Sequence, residues 1–244
     1  MTEQTIQSYP VWDRSTRIFH WVAVLSFIVL VAIGLVMMFS KSLGITDDGK
    51  IVLKTAHSWA GYVFVINLLW RFVWAFAGNR FARWGAILPF GKVYKAQMNA
   101  YLQGRKAGRQ VKFLGHNPLA RWSVMVMLIL MTAQGATGLV LGSTDIYAAP
   151  FGSQMKQWVA ADKSRLDLIK PYDKTNIDPV AYKEMRDFRQ PYRTLHTYLF
   201  YLLALSVVIH IIAVVVAENR ERSGLTSAMF SGEKHFDDKP FDAD

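Results

Sequence analysis

Apolar residues in this chain come in four long blocks, unlike the spaced amphipathic pattern of a water-soluble domain. Each block is 20 to 22 residues long, and the four cover residues 18–39, 56–76, 122–141 and 195–216. Three of them contain no Asp, Glu, Lys or Arg, and the second contains only Arg71. Runs of about 20 apolar residues are long enough to cross a bilayer as helices. The pattern predicts an all-α integral membrane protein, a four-transmembrane-helix bundle in which residues 1–244 form a single membrane domain.

The distribution of charge predicts how these spans are oriented. The loop 78–121 has nine Lys or Arg and no acidic residue, whereas the loop 143–193 has nine basic and seven acidic residues. By the positive-inside rule the first loop is cytoplasmic and the second is outside. We therefore expect a multi-pass protein of the bacterial inner membrane with both termini, including the tail 217–244, in the cytoplasm. The net charge of +10 is explained by the membrane and not by nucleic acid. The tail after Gly232 is expected to be mobile.

Four histidines fall at two depths in the predicted spans. His196 and His210 are 14 residues apart in span four, on one helix face and about 21 Å apart along the axis. His20 lies near the cytoplasmic end of span one, and His57 near the outer end of span two. Only one pairing matches these depths, namely His20 with His210 on the inner side and His57 with His196 on the outer side.

Two imidazoles at one depth are the axial ligands that a six-coordinate haem iron requires. The chain has no cysteine, so disulfides, iron–sulfur clusters and covalent haem attachment are excluded. The sequence therefore predicts two haems b, each held non-covalently by a bis-histidine pair. The alternative for any single histidine is a hydrogen bond between helices.

Further residues are expected to contact the cofactors. Gly34 follows His20 by 14 positions, so it lies on the same face of span one but at the depth of the outer pair. Arg71 follows His57 by 14 positions, so it lies on the same face of span two but at the depth of the inner pair. Gly135 and Gly138 lie at a depth similar to that of Gly34, and Arg17 precedes His20 by one turn. The glycines let a macrocycle approach the backbone, or only pack helices. The arginines are candidates for propionate binding, although Arg71 could instead reach a lipid headgroup.

Several segments resemble a known family. These are RSTRIFHW at 14–21, the histidine that opens span two, GHNPLAR at 115–121, TGLVL at 137–141 and the histidine pair of span four. Together they resemble the bacterial cytochrome b561 family, which includes the b-type subunits of nickel–iron hydrogenases and is similar to the membrane subunit of formate dehydrogenases. The resemblance covers residues 10 to 232. It implies two haems b ligated by His20, His57, His196 and His210, and electron transfer between quinone and a partner redox protein.

Three functions are compatible with this pattern. The leading one is an electron-transfer subunit, not a self-contained enzyme, which joins the quinone/quinol pool to a c-type cytochrome or an oxidoreductase such as a hydrogenase. Its outer loop, with Tyr147, Phe151 and Trp158, is the expected docking surface or else a lid. The second is a stand-alone superoxide:quinone oxidoreductase, in which outer basic residues steer an anion. The third, a metal transporter lined by histidines, lacks carboxylates in the spans.

Overall fold

The computed structural model describes residues 6–243, most of which are helical. The elements in chain order are β1 (Gln7–Pro10), α1 (Arg14–Met38), α2 (Asp47–Ala77), α3 (Trp84–Ile87), α4 (Gly91–Lys106), α5 (Pro118–Asp145), α6 (Gly152–Val159), α7 (Pro179–Glu221), α8 (Ala228–Ser231) and β2 (Glu233–Phe236). A short 3-10 helix, Leu166–Leu168, lies between α6 and α7.

Four helices, α1, α2, α5 and α7, are long and apolar enough to cross a membrane. Their surfaces carry large apolar side chains that the rest of the chain leaves exposed, such as Ile28, Ile66 and Leu205. Apolar side chains in these positions suit contact with lipid. The predicted all-α membrane fold with four spans is confirmed.

Each of the four long helices begins at a side chain that caps it. Asp13 accepts the Thr16 N–H at 2.7 Å before α1, and the Thr46 hydroxyl accepts the Gly49 N–H at 3.2 Å before α2. Asn117 caps α5, and Asp178 caps α7 by accepting two backbone N–H groups at 2.8 and 2.9 Å. Such side chains satisfy N–H groups that have no partner within the helix. The caps therefore fix where each long helix starts.

The chain divides into two compact units. The first comprises the described residues up to Trp21, then Leu68–Ile129, and the chain from Leu203 onward. The second comprises Val22–Asn67 and Leu130–Leu202. His20 and His210 belong to the first unit, whereas His57 and His196 belong to the second.

In the second unit, α7 begins well before the predicted fourth span. It has 43 residues, about 65 Å of helix, and it continues through Pro191. Its first turns supply Met185 to a small apolar core with Val159 and Ile169, here called the outer cap. Between α5 and α7 the chain forms the short helix α6 and the 3-10 turn.

In the first unit, the terminal segments fold together. Strand β2 pairs antiparallel with β1, and Val11, Phe81 and Phe236 share an apolar core with Leu114 and Ala228. The expectation of a mobile tail after Gly232 is wrong. The reason is a long-range contact, because the partner strand of the tail lies at the opposite end of the chain.

Candidate haem-binding site

The first unit contains the predicted inner pair. His20 lies on α1 and His210 on α7, and the two imidazoles are close enough to interact electrostatically. The Nδ1 atom of His20 is buried and has no hydrogen-bond partner among the described residues. The ring of His20 also meets the Trp21 indole edge-on, with centroids 5.3 Å apart. The inner pair is thus an apolar site with a ring nitrogen that the protein leaves unbonded.

The two arginines predicted to bind propionate both lie in the first unit. Arg71 is 5 % exposed, donates to the Ala82 carbonyl at 3.0 Å and lies 5.8 Å from the Phe19 ring centroid. Arg17 donates to the Phe230 carbonyl through one terminal nitrogen, while its Nε is buried without a partner in the described chain. Both guanidinium groups have N–H donors beyond those bonds, since a guanidinium carries five.

His116 is a further histidine of the first unit, and its sequence position alone did not link it to the inner pair. It packs on Trp12 with ring centroids 4.8 Å apart and interacts electrostatically with His210. Burial lowers the pKa of His116 to about 3, with Lys234, Arg71 and Arg121 adding positive charge nearby. The imidazole is therefore neutral at physiological pH. Asn117, the next residue, caps α5.

The second unit contains the predicted outer pair. His57 lies on α2 and His196 on α7, and their imidazoles also interact electrostatically. The Nδ1 atom of His57 is buried with no hydrogen-bond partner among residues 6–243. A β-carbon at Gly34 would lie 3.7 Å from Cε1 of His57, and one at Gly138 would lie 3.3 Å from Cε1 of His196. Both glycines therefore leave room directly beside an imidazole.

Gly135 has a different environment from Gly138. A β-carbon added there would lie 3.0 Å from Cγ2 of Val65 and not against a histidine. This contact fits the alternative in which Gly135 lets α5 approach α2 closely. Its predicted role in cofactor binding stays a prediction.

Two polar residues of α5 hold His196, and the sequence analysis did not identify them. The Thr137 hydroxyl lies 2.9 Å from Nδ1 of His196, and the Gln134 side-chain nitrogen lies 3.1 Å from its Nε2. The available signal was chemical, since both are polar residues in a mostly apolar span.

A charged cluster lies near the outer ends of the helices of the second unit. Asp145 accepts from Lys54 at 2.7 Å and also pairs with Arg189. Of the aromatic residues predicted to form a docking surface, Phe151 is exposed, whereas Tyr147 and Trp158 pack against the outer cap. The expected steering of an anion by Arg189 is weakened, because a carboxylate already pairs with this guanidinium.

The donor sets of both units suit iron that is already held by a porphyrin. Each unit contributes two imidazoles, and no group of three or more His, Asp or Glu residues among residues 6–243 could hold a metal ion alone. In both pairs at least one buried Nδ1 has no partner in the described part of the chain. Two axial imidazoles and small residues beside them fit haem.

Four apolar helices and two histidine pairs define a class of protein, the membrane cytochromes of the b type. The model of the family described as prokaryotic cytochrome b561 matches residues 11–232, and the chain belongs to that family. The family is one of haem-containing electron carriers of the membrane, as the predicted resemblance implied.

Curated relatives of the chain match it over nearly its whole length. A probable Ni/Fe-hydrogenase B-type cytochrome subunit of Cupriavidus necator is 25% identical over 96% of this chain and 90% of its own. Its counterpart in Bradyrhizobium diazoefficiens is 27% identical over 93% of this chain and 86% of its own. The Escherichia coli K12 protein named probable Ni/Fe-hydrogenase 1 B-type cytochrome subunit is 28% identical over 57% of this chain and 62% of its own.

Proposed function

We propose that the chain is a di-haem cytochrome b that transfers electrons between the quinone pool and a partner redox protein at the outer membrane face. The observation that carries this proposal is that His20 and His210 lie within electrostatic range of each other in one unit, as do His57 and His196 in the other. When bound, two haems b supply one-electron oxidation and reduction with both axial positions filled.

Different residues of the chain are assigned to the iron, the propionates and the macrocycle of the two haems. The four histidines would hold the two haem irons through neutral imidazole nitrogens, the form of histidine that binds a metal. Arg71 and Arg17 retain donors for carboxylates on the inner side, which is the basis for assigning them to propionates. Gly34 and Gly138 leave the space next to the outer imidazoles that a flat macrocycle needs. Gly135 contributes by bringing α5 close to α2.

The partner is proposed to be an oxidoreductase subunit, with a hydrogenase favoured by the names of the relatives. A c-type cytochrome is the other candidate. With both termini in the cytoplasm of a bacterial cell, the outer cap faces the periplasm and offers Phe151 to the partner. A separate reaction with superoxide has less support, since Asp145 neutralises Arg189.

Spectroscopy of the purified protein tests the proposal. A reduced-minus-oxidised spectrum should show a b-type α-band, and the pyridine haemochrome should give about two haems per chain. Addition of quinol should reduce these haems without another protein. Colourless protein from cells supplied with haem, or haem that quinol cannot reduce, would contradict the proposed function.

A further inference from the structure

The Thr137 hydroxyl lies at the centre of a chain of hydrogen bonds in the second unit. The side chain is 5 % exposed, and its Oγ1 lies 2.9 Å from the Ala133 carbonyl and 3.0 Å from the Gln134 carbonyl. The same oxygen lies 2.9 Å from Nδ1 of His196. A hydroxyl has one proton to donate and two lone pairs with which to accept. With the proton directed to a carbonyl, Oγ1 accepts from the N–H of His196.

The opposite edge of the same ring indicates the same tautomer. The side-chain NH₂ of Gln134 lies 3.1 Å from Nε2 of His196. An amide nitrogen only donates, so Nε2 must accept and the ring proton must be on Nδ1. This is the tautomer in which Nε2 presents its lone pair to iron. Gln134 occupies the lone pair that iron would take, so its side chain must turn away when haem binds, and the bond from Nδ1–H to Thr137 is the one that a ligating His196 keeps.

The other imidazole of the outer pair lacks this support. Nδ1 of His57 is buried with no hydrogen-bond partner in residues 6–243, and the same holds for His20 in the first unit. A hydrogen bond from the distal N–H of a ligating histidine fixes the ring orientation and raises the basicity of the ligand. A more basic ligand stabilises the ferric state, which lowers the reduction potential.

We propose that Thr137 is a positioning residue that fixes the tautomer and ring orientation of His196 and thereby lowers the reduction potential of the outer haem. The inference rests on the proposed function, because it requires iron at His196. It goes beyond that function by assigning a hydroxyl of α5 to the control of one haem and not the other.

The test compares substitutions at two similar threonines of α5. Thr144 is 3 % exposed and bonds to the Val140 carbonyl at 3.0 Å, as Thr137 bonds to Ala133, but no histidine contact is present there. Thr137→Val should raise the midpoint potential of the outer haem and change its low-spin EPR signal. Thr137→Ser should keep the wild-type potential and EPR signal because it keeps the hydroxyl, and Thr144→Val should change neither. The same redox titration in a His210→Ala background, which should retain only the outer haem, shows which of the two measured potentials belongs to the outer haem.

The outcomes separate the two proposals. Wild-type protein without two haems would remove the proposed function before any threonine is considered. Two haems with identical potentials in Thr137→Val and Thr144→Val would overturn the inference alone. If Thr137→Val loses the outer haem, retention by Thr137→Ser shows that the hydroxyl is required. Loss of the haem from the serine variant as well would show that the hydroxyl is not the determinant.

Discussion

The two histidine pairs consist of the same side chains but differ in what surrounds them. In the second unit, Nδ1 of His196 donates to Thr137, and glycines lie beside both rings of the outer pair. Neither His57 nor His20 has a partner for Nδ1 among the described residues. The buried cations of the described chain, Arg71, Arg121 and Lys234, all lie in the first unit. A neutral hydrogen bond therefore supports one imidazole of the outer pair, whereas buried positive charge is confined to the unit that contains the inner pair.

This difference has a consequence for the direction of electron transfer. Positive charge near a haem favours the reduced state, because reduction removes one positive charge from the site. A hydrogen bond that makes a ligand more basic favours the oxidised state. We therefore expect the inner haem to have the higher potential and the outer haem the lower one. Within the proposed function, this order of potentials would favour electron transfer from the outer haem to the inner haem.

The largest effect should come from removing ligands in pairs. Replacing both members of one pair by alanine, as in His57→Ala/His196→Ala, should leave about one haem per chain. Replacing one member of each pair, as in His57→Ala/His210→Ala, should leave none, although the number of histidines lost is the same. Pyridine haemochrome on the purified variants measures this, with His235→Ala as the control. Equal haem content in the two double variants would refute the pairing.

The sequence was sufficient to predict these pairs because they depend on spacing. Span length fixes depth, and a separation of 14 residues returns to the same helix face. The four spans follow from apolar length in the same way. Neither inference needs knowledge of how one helix is rotated against another.

The features missed by the sequence analysis depend on that rotation or on distant contacts. Thr137 reaches His196 only because α5 presents that face to α7 within the second unit. The tail is ordered because β2 pairs with β1 and because Lys234 donates to carbonyls more than a hundred residues away in the sequence. The sequence analysis did not predict the extension of α7 through Pro191, because the residues there are polar and do not continue the apolar run of the span.

A smaller effect, confined to the first unit, is expected from Arg71→Met. The substitution leaves the buried Ala82 carbonyl without its donor and removes a buried cation from the unit that contains the inner pair. An unsatisfied buried acceptor costs about 1–3 kcal/mol, and loss of the charge should lower the inner potential. Thermal unfolding and redox titration measure the two effects, with Arg71→Lys as the variant that keeps the charge. An unchanged midpoint potential of the inner haem in Arg71→Met, or an equal shift in both haems, would contradict the role given to positive charge in the unit of the inner pair.

A complementary effect in the second unit is expected from Gly138→Ala. The added β-carbon would lie 3.3 Å from Cε1 of His196, so the ring must shift by a few tenths of an ångström. Overpacking of this kind costs about 1–3 kcal/mol and should weaken retention of the outer haem. At Gly34 the corresponding distance is 3.7 Å, an ordinary contact, so Gly34→Ala should cost less. Haem loss during dilution in detergent measures both, and a greater loss from Gly34→Ala would count against the assigned packing.

The smallest effect on the haems is expected from Lys234 in the folded tail of the first unit. Its ammonium donates to the carbonyls of Phe113, Leu114 and Gly115 at 3.4, 2.7 and 3.2 Å and lies 5.7 Å from the Trp12 ring centroid. Burial lowers the pKa of Lys234 from 10.5 to about 8, against the opposing effect of Glu221 and other acids. The tail therefore holds this charge at a cost in desolvation.

That cost gives the stability of the first unit a defined dependence on pH. Between pH 8 and 10.5 the unfolded chain keeps the proton of Lys234 and the folded chain releases it. Stability therefore rises with pH through this window, by roughly 3 kcal/mol in all, and falls as the pH returns through 8. Lys234→Met should lose this increment while keeping both haems. Unfolding midpoints of the two proteins from about pH 7.5 to about pH 10 measure it, since other groups cancel in the difference. Parallel plots of the unfolding midpoint against pH would mean that the tail binds Lys234 without lowering its pKa. Loss of the inner haem from Lys234→Met would mean that the tail supports the inner pair directly.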